Sequence, residues 1–186
     1  MTRTISVLGF AGSLRKGSYN RALLHNAKEL VPPNMTIEIF ELDNIPLYNG
    51  DVEAQSFPEP VLEFKNKIRA ADALLIAMPE YNYSIPGVLK NSIDWASRPP
   101  TDSPLHGKPV ALLGASTGGF GTVRGQLQLR QCFIFTKSLC LVDPEVYVSR
   151  AHEKFDANGN LLDETTIAQI RSLLHGLYEW TIQLTE

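Results

Sequence analysis

The stretch Gly12-Ser-Leu-Arg-Lys-Gly-Ser-Tyr-Asn20 carries the residue types that hold a phosphate. Gly12 and Gly17 let a loop curl until successive N–H groups point into one concavity. Ser13 and Ser18 supply hydroxyls, Asn20 an amide, and Arg15 a planar guanidinium whose fork matches phosphate oxygens; Tyr19 sits in the same run. An apolar run at 5–10 precedes the loop and a helical pattern at 21–30 follows it. The positive end of that helix adds about 0.3–1 kcal/mol to a bound anion. Spacing separates this loop from two better-known ones. A Walker A loop needs Lys directly after the second glycine of G-x-x-x-x-G, where Ser18 stands, and Gly9, Gly12 and Gly17 do not fit the dinucleotide fingerprint G-x-G-x-x-G. Taken alone, the loop also reads as an ordinary Gly/Ser turn between strand and helix.

Two further loops share the chemistry of a flat ring. Pro79-Glu-Tyr-Asn-Tyr-Ser-Ile-Pro86 holds Glu80, Tyr81, Asn82 and Tyr83 between prolines, which suits a heterocycle stacked on one face and hydrogen-bonded along its edge. The competing reading is a loop whose tyrosines pack locally. Ser116-Thr-Gly-Gly-Phe-Gly121 has little side chain around Gly119, so its backbone can approach a ring's polar edge closely; otherwise it is a flexible loop. One phosphate cradle and two ring loops describe a mononucleotide. Other chemistries fail on spacing. His25, His106, His152 and His175 form no H-x-x-x-H pair, and Cys132 and Cys140 fit neither C-x-x-C nor a zinc pattern, so two reduced, packed thiols and no metal site are expected. Asp156-Ala-Asn-Gly-Asn160 fails as a calcium loop, because Leu161 and Ile167 stand where Gly and Glu are needed; Asn158-Gly159 reads as a tight turn between Phe155 and Leu161.

The elements that must position these loops follow from hydrophobic pattern. Short apolar runs at 5–8, 73–78 and 110–113 suit strands covered on both faces, and 36–42 alternates as a strand near an edge. A final strand region at 139–148 is interrupted by Asp143-Pro144. Between them lie helical patterns: 21–30; one striped by Val61, Phe64, Ile68 and Ala71 with Ser56 as cap and Pro58 near its first turn; one opened by Pro86; one at 126–135; and a C-terminal one striped by Ile167, Ile170, Leu174, Leu177 and Leu184. Residues 43–57 read as a long loop. Strand–helix alternation across 186 residues predicts one domain spanning 1–186 in the α/β class, a doubly wound three-layer sandwich with a five-stranded parallel sheet. Ligands in such folds bind at the carboxyl ends of the strands, and the three loops follow the first, third and fourth strands.

Composition narrows the partners. With 44% hydrophobic residues, 20% charged residues and a net charge of -3, nothing attracts a nucleic acid or an anionic membrane surface. No apolar stretch reaches 18 residues and no secretory h-region is visible, so a cytoplasmic protein is expected.

At this point the residues carry a resemblance. The order GSLRKGSYNRAL, PEYNYSIPGVLKNSIDWASRP, GASTGGFG resembles the NAD(P)H-dependent FMN reductases of the flavodoxin-like superfamily, in particular their quinone, azo-dye and chromate reductase branch. The resemblance implies a flavodoxin-like sheet of order 2-1-3-4-5, FMN as cofactor, NADPH or NADH as co-substrate, quinone-like acceptors, and a homodimer or homotetramer. It implies that Ser13, Arg15, Ser18 and Asn20 bind the FMN phosphate, that Pro79, Glu80, Tyr81 and Asn82 line the isoalloxazine, and that Tyr83 lies at its rim and Ser116 at its pyrimidine edge. Tyr19 and Gly119 complete the candidate set. No side chain is assigned acid, base or nucleophile chemistry, which belongs to the flavin. Asn91, Asp94 and Trp95 match the motif too, but on a helix their spacing fits packing and capping of the neighbouring loop. A second function stays open, a flavodoxin-type electron carrier that does not itself oxidise NAD(P)H, although carriers are usually more acidic than this chain. A flavin-free phosphate sensor on the same fold is a third.

Overall fold

The buried apolar runs pair side by side as parallel strands. In the computed structural model, which describes residues 3–185, the order is β1 (Ile5–Ala11), α1 (Tyr19–Glu29), β2 (Met35–Phe40), α2 (Gly50–Gln55), α3 (Glu59–Ala70), β3 (Ala73–Ala77), α4 (Gly87–Ala96), β4 (Pro109–Ala115), α5 (Val123–Thr136), β5 (Leu139–Cys140), β6 (Val146–Val148) and α6 (Glu164–Thr185). All pairs are parallel and the sheet order is β2-β1-β3-β4-β5, as the resemblance implies. β6 also lies on β4: Pro109 and Val110 pair with Leu139 and Cys140, then Leu113, Gly114 and Ala115 pair with Val146, Tyr147 and Val148. The fifth position is therefore shared by two short strands, and the sheet has six strands rather than five. The break falls at Asp143-Pro144, where proline has no N–H to give the ladder.

Side-chain alternation sorts the two cores. On one face Val7, Leu75, Ala77, Ala111 and Leu113 meet Leu23 and Leu24 of α1 and Ile170, Leu174 and Leu177 of α6. On the other Leu8, Phe10, Leu74, Ile76 and Leu112 meet Val61, Phe64 and Ile68 of α3, Leu89, Ile93 and Trp95 of α4, and Leu129 and Phe133 of α5. Neighbouring residues of one strand thus fall in opposite cores, which is why these strands are apolar throughout.

Three local expectations need correction. The stretch read as a long loop contains α2, which buries none of its residues and so shows no apolar stripe; Asn49 caps it by accepting from the Asp51 N–H at 2.9 Å. Ser56 closes α2 rather than opening α3, whose N-cap is Pro58 with Pro60 in the first turn. Pro86 precedes α4 as its N-cap instead of forming its first residue.

Gly114 marks the tightest packing at the carboxyl edge. A Cβ there would lie 2.1 Å from Thr122 Oγ1 and 2.4 Å from the Met78 carbonyl oxygen. Thr122 is fully buried and the carbonyl belongs to the backbone, so neither can yield cheaply. Gly114→Ala is expected to destabilise the protein by about 1–3 kcal/mol in urea unfolding, the usual range for overpacking. An unchanged midpoint would mean that β4 and the Met78 segment can separate without cost.

Candidate functional site

Each candidate loop leaves the sheet in the same way. Gly12 N–H donates to Ala77 O at 2.8 Å, Met78 N–H to Leu113 O at 3.0 Å and Ser116 N–H to Val148 O at 2.9 Å. The chain therefore stays tied to the next strand until the loop begins, and all three loops emerge along one edge. Gly12 brings the first two together, since a Cβ on it would lie 3.1 Å from Leu89 Cβ and 3.4 Å from Pro79 Cδ.

In the first loop, the Ser18 N–H closes a turn onto Arg15 O at 3.0 Å, and Ser18 Oγ caps α1 by accepting from the N–H groups of Asn20 and Arg21 at 3.2 and 3.5 Å. The helix accordingly starts at Tyr19, two residues before its apolar pattern. Among the described residues no acceptor takes the N–H groups of Ser13, Leu14, Arg15, Lys16, Gly17 or Tyr19, and the hydroxyl of Ser13, a largely buried residue, makes no hydrogen bond. Such a run of unpaired donors ahead of a helix has the geometry to accept an anion. The Arg15 guanidinium is exposed and arches over the loop, 3.8 Å from where a Gly17 Cβ would stand. Tyr19 packs against Phe155 with ring centroids 5.4 Å apart and the rings tilted by 41°. Asn20 is buried, and its amide is engaged with β4: Nδ2 donates to Ala115 O and Oδ1 accepts from Ala115 N–H, both at 2.8 Å.

The second loop turns on Asn82 and Tyr83, whose φ angles are +52° and +63°. Tyr81 and Ser84 exchange backbone hydrogen bonds at 3.2 and 2.9 Å, a two-residue tight turn with both central residues left-handed. Asparagine tolerates that region; a tyrosine there is strained, and such strain concentrates at binding sites. Glu80 replaces the missing side-chain cap of α5: its Oε2 accepts from Gly125 N–H at 3.0 Å, and Oε1 faces Arg124 Nη1 at 3.4 Å. Gly125 makes room, since a Cβ there would be 2.8 Å from Met78 Cε and 3.2 Å from Ser84 O.

The third loop is held from the far side. Arg150 N–H donates to Gly118 O and Ala151 N–H to Ser116 O, at 3.1 and 2.9 Å, while Ser116 Oγ accepts from Gly118 N–H at 3.1 Å. Gly121, with φ +60°, sits against the backbone of Tyr147, which would be 3.0 Å from an added Cβ. Tyr147 is a neutral phenol, pushed up to about 12 by burial and by its bond to Glu145.

Glu80, Asn82, Tyr83, Ser116 and Gly119 come together around one crevice of about 280 Å³. Arg15, Ser18 and Tyr19 line a separate groove of about 720 Å³ that runs along α1 to residues 156–160. Ser13, Asn20 and Pro79 are buried between loop and sheet, and Tyr81 is exposed at the turn. The ring-loop crevice also has members that the sequence reading leaves out, Gly118, Phe120, Gly121 and Arg124. Arg124 falls before the helical pattern that begins at 126; its only signal is a cation directly after a Gly-rich loop. The cysteines add no nucleophile. Cys132 and Cys140 are free and partly buried, and burial pushes both thiols up, so they stay protonated at neutral pH.

Residues 5–153 match the family model for NADPH-dependent FMN reductase. An NAD(P)H-dependent FMN reductase of Pseudomonas aeruginosa is 54% identical over 184 residues, covering 99% of each chain. A 2-hydroxy-1,4-benzoquinone reductase of a Burkholderia species is 39% identical over 169 residues, covering 91% of this chain and 92% of its own. FerB, a flavoenzyme NAD(P)H:(acceptor) oxidoreductase from Paracoccus denitrificans, superposes with a TM-score of 0.88 at 33% identity over 97% of this chain and 98% of its own. With the cradle, the ring crevice and the strand order in place, these likenesses put the chain in the NADPH-dependent FMN reductase family.

Proposed function

We propose that the chain is one FMN-binding domain that catalyses electron transfer from NADPH or NADH, through bound FMN, to quinones and similar acceptors. The observation that carries this is the convergence of an unpaired N–H cradle and a ring-sized crevice along one sheet edge. The residues fit FMN. Ser13, Arg15 and the loop N–H groups present donors to one terminal phosphate, and the second and third loops offer aromatic faces and close backbone to a ring. Ser18 and Asn20 serve the same phosphate by fixing the cradle: one caps α1, the other pins it to β4. Bound FMN supplies the redox chemistry, and the chain supplies position and access. The family relatives favour the enzyme over the electron carrier, and the mild net charge of -3 points the same way. Free thiols and the absence, among described residues, of a helix able to cross a membrane support a cytoplasmic location.

An oligomer belongs to this reading, a homodimer or homotetramer. Leu127, Ile134 and Phe135 of α5 are exposed, as are Leu47, Tyr81 and Tyr83 of the loops. Ile45 and Tyr48 pack inward instead, Tyr48 against Trp95 at 4.9 Å. Exposed aromatic and aliphatic side chains of this kind suit interface cores. Light scattering at micromolar concentration should give at least twice the 20.6 kDa chain mass. A clean monomer overturns the oligomer.

Arg15→Ala should weaken FMN binding by about 1.5–3 kcal/mol, the range for a hydrogen bond to a charged group, with the unfolding midpoint unchanged. An unaltered FMN dissociation constant removes Arg15 from the cradle.

Turnover itself tests the whole reading. Donor and acceptor share one crevice and no second nucleotide fingerprint exists, so they take turns. Initial rates of NADPH oxidation at several fixed quinone concentrations should give parallel double-reciprocal lines. Intersecting lines require a ternary complex, and no oxidation with any quinone by FMN-loaded protein leaves the electron carrier.

A further inference from the structure

The ring-loop crevice contains a cation that no binding role assigned so far explains. Arg124 lies in the first turn of α5, where the helix's own positive end disfavours it. Its guanidinium nevertheless sits between two aromatic faces, 4.1 Å from the Tyr83 centroid and 4.5 Å from that of Phe120. These rings are themselves 66% and 69% exposed, so the stack forms the rim of the crevice rather than part of the core. Glu80 pairs with one end of the fork only. Its carboxylate is 9% exposed and already accepts the Gly125 N–H at 3.0 Å, and its contact with Arg124 Nη1 is a long 3.4 Å. Among the described residues the remaining guanidinium donors have no hydrogen-bond partner, and the side chain is 37% exposed. A rigidly held fork with free donors, flanked by aromatic faces and glycine backbone, recognises a flat molecule with an anionic edge.

We propose that Arg124 is a specificity-determining residue that selects anionic aromatic acceptors, above all hydroxyquinones ionised at neutral pH. The inference rests on the proposed quinone reductase function. A 2-hydroxy-1,4-quinone is a vinylogous acid, so its enolate spreads one negative charge over two oxygens as a carboxylate does, and it presents that edge to the fork while its ring stacks at the rim. In the overall exchange NAD(P)H gives up a hydride, and the quinone takes up the equivalent two electrons and a proton, with a further proton from water, to leave as the hydroquinone. Arg124 also faces the negative charge that grows on the acceptor oxygens as electrons arrive.

The test compares 2-hydroxy-1,4-benzoquinone with 1,4-benzoquinone in FMN-loaded wild type, Arg124→Gln and Arg124→Lys. The readout is the ratio of kcat/KM for the anionic to the neutral quinone, which cancels their different reactivities. Arg124→Gln should lower that ratio 10- to 100-fold and Arg124→Lys, which keeps the charge without the fork, by less. Calorimetry gives a readout without turnover: benzoate should bind wild type at least 10-fold more tightly than benzamide and lose that advantage in Arg124→Gln. Should Arg124→Gln not fold, Arg124→Lys and the wild-type benzoate preference carry the test. An unchanged ratio together with equal binding of benzoate and benzamide overturns the proposal. So does an unchanged ratio accompanied by a raised KM for NADPH, which would assign Arg124 to the donor. If loaded wild type reduces neither quinone, the proposed function has failed, and the benzoate arm alone decides Arg124.

Discussion

One buried amide couples the parts of the site. Asn20 lies in the first turn of α1 beside β1, while Ala115 ends β4, and β3 lies between those strands. The paired hydrogen bonds between the Asn20 side chain and the Ala115 backbone, each 2.8 Å, bridge that gap. They satisfy the last N–H and C=O of β4, which would otherwise be buried polar groups without partners, at a cost of about 1–3 kcal/mol each. They also fix the start of α1, and with it the cradle, relative to the third loop.

From that tie the remaining supports follow. Glu80 pins the second loop to the first turn of α5, Gly125 allows the approach, and Arg150 and Ala151 hold the third loop from behind. The two left-handed residues at the tip of the second loop persist because both neighbours hold the turn, Tyr81 and Ser84 by backbone bonds and Gln128 by donating to Tyr83 O at 3.0 Å. Binding groups fixed before the ligand arrives lose little entropy on binding, so the strain at Tyr83 is a cost borne by folding rather than by association.

Much of this was legible in the sequence because it rests on patterns the chain repeats. Two-sided burial makes β1, β3 and β4 apolar without alternation, and Gly-rich or proline-bracketed stretches directly after them mark the loops. The Asn158-Gly159 turn was legible for the same reason: Phe155 and Leu161 pair across it, with Gly159 at φ +85°. Asn91 and Trp95 hold the preceding loop rather than the site, both donating to Pro46 O at 2.8 Å. What escaped is non-local or leaves no periodic trace. α2 packs no face, the pairing of both segments around Asp143-Pro144 with β4 is non-local, and nothing near Ser18 and Asn20 in sequence reveals that one also caps α1 and the other also bonds the distant Ala115.

Arg124 shows why such residues matter. Its neighbours in sequence, a Gly-rich loop and a helix start, account for the backbone there but not for a cation at the end of a helix where an anion is favoured. The folded chain supplies what the sequence withholds, since Tyr83 arrives from the second loop, Phe120 from the third and Glu80 from beneath. A site assembled from three loops on one rigid sheet can keep its phosphate cradle and its ring support unchanged while the rim varies. Within such a scaffold, the discrimination among acceptors proposed above falls to side chains at the crevice rim, and Arg124 is the cation there whose remaining donors have no partner among the described residues.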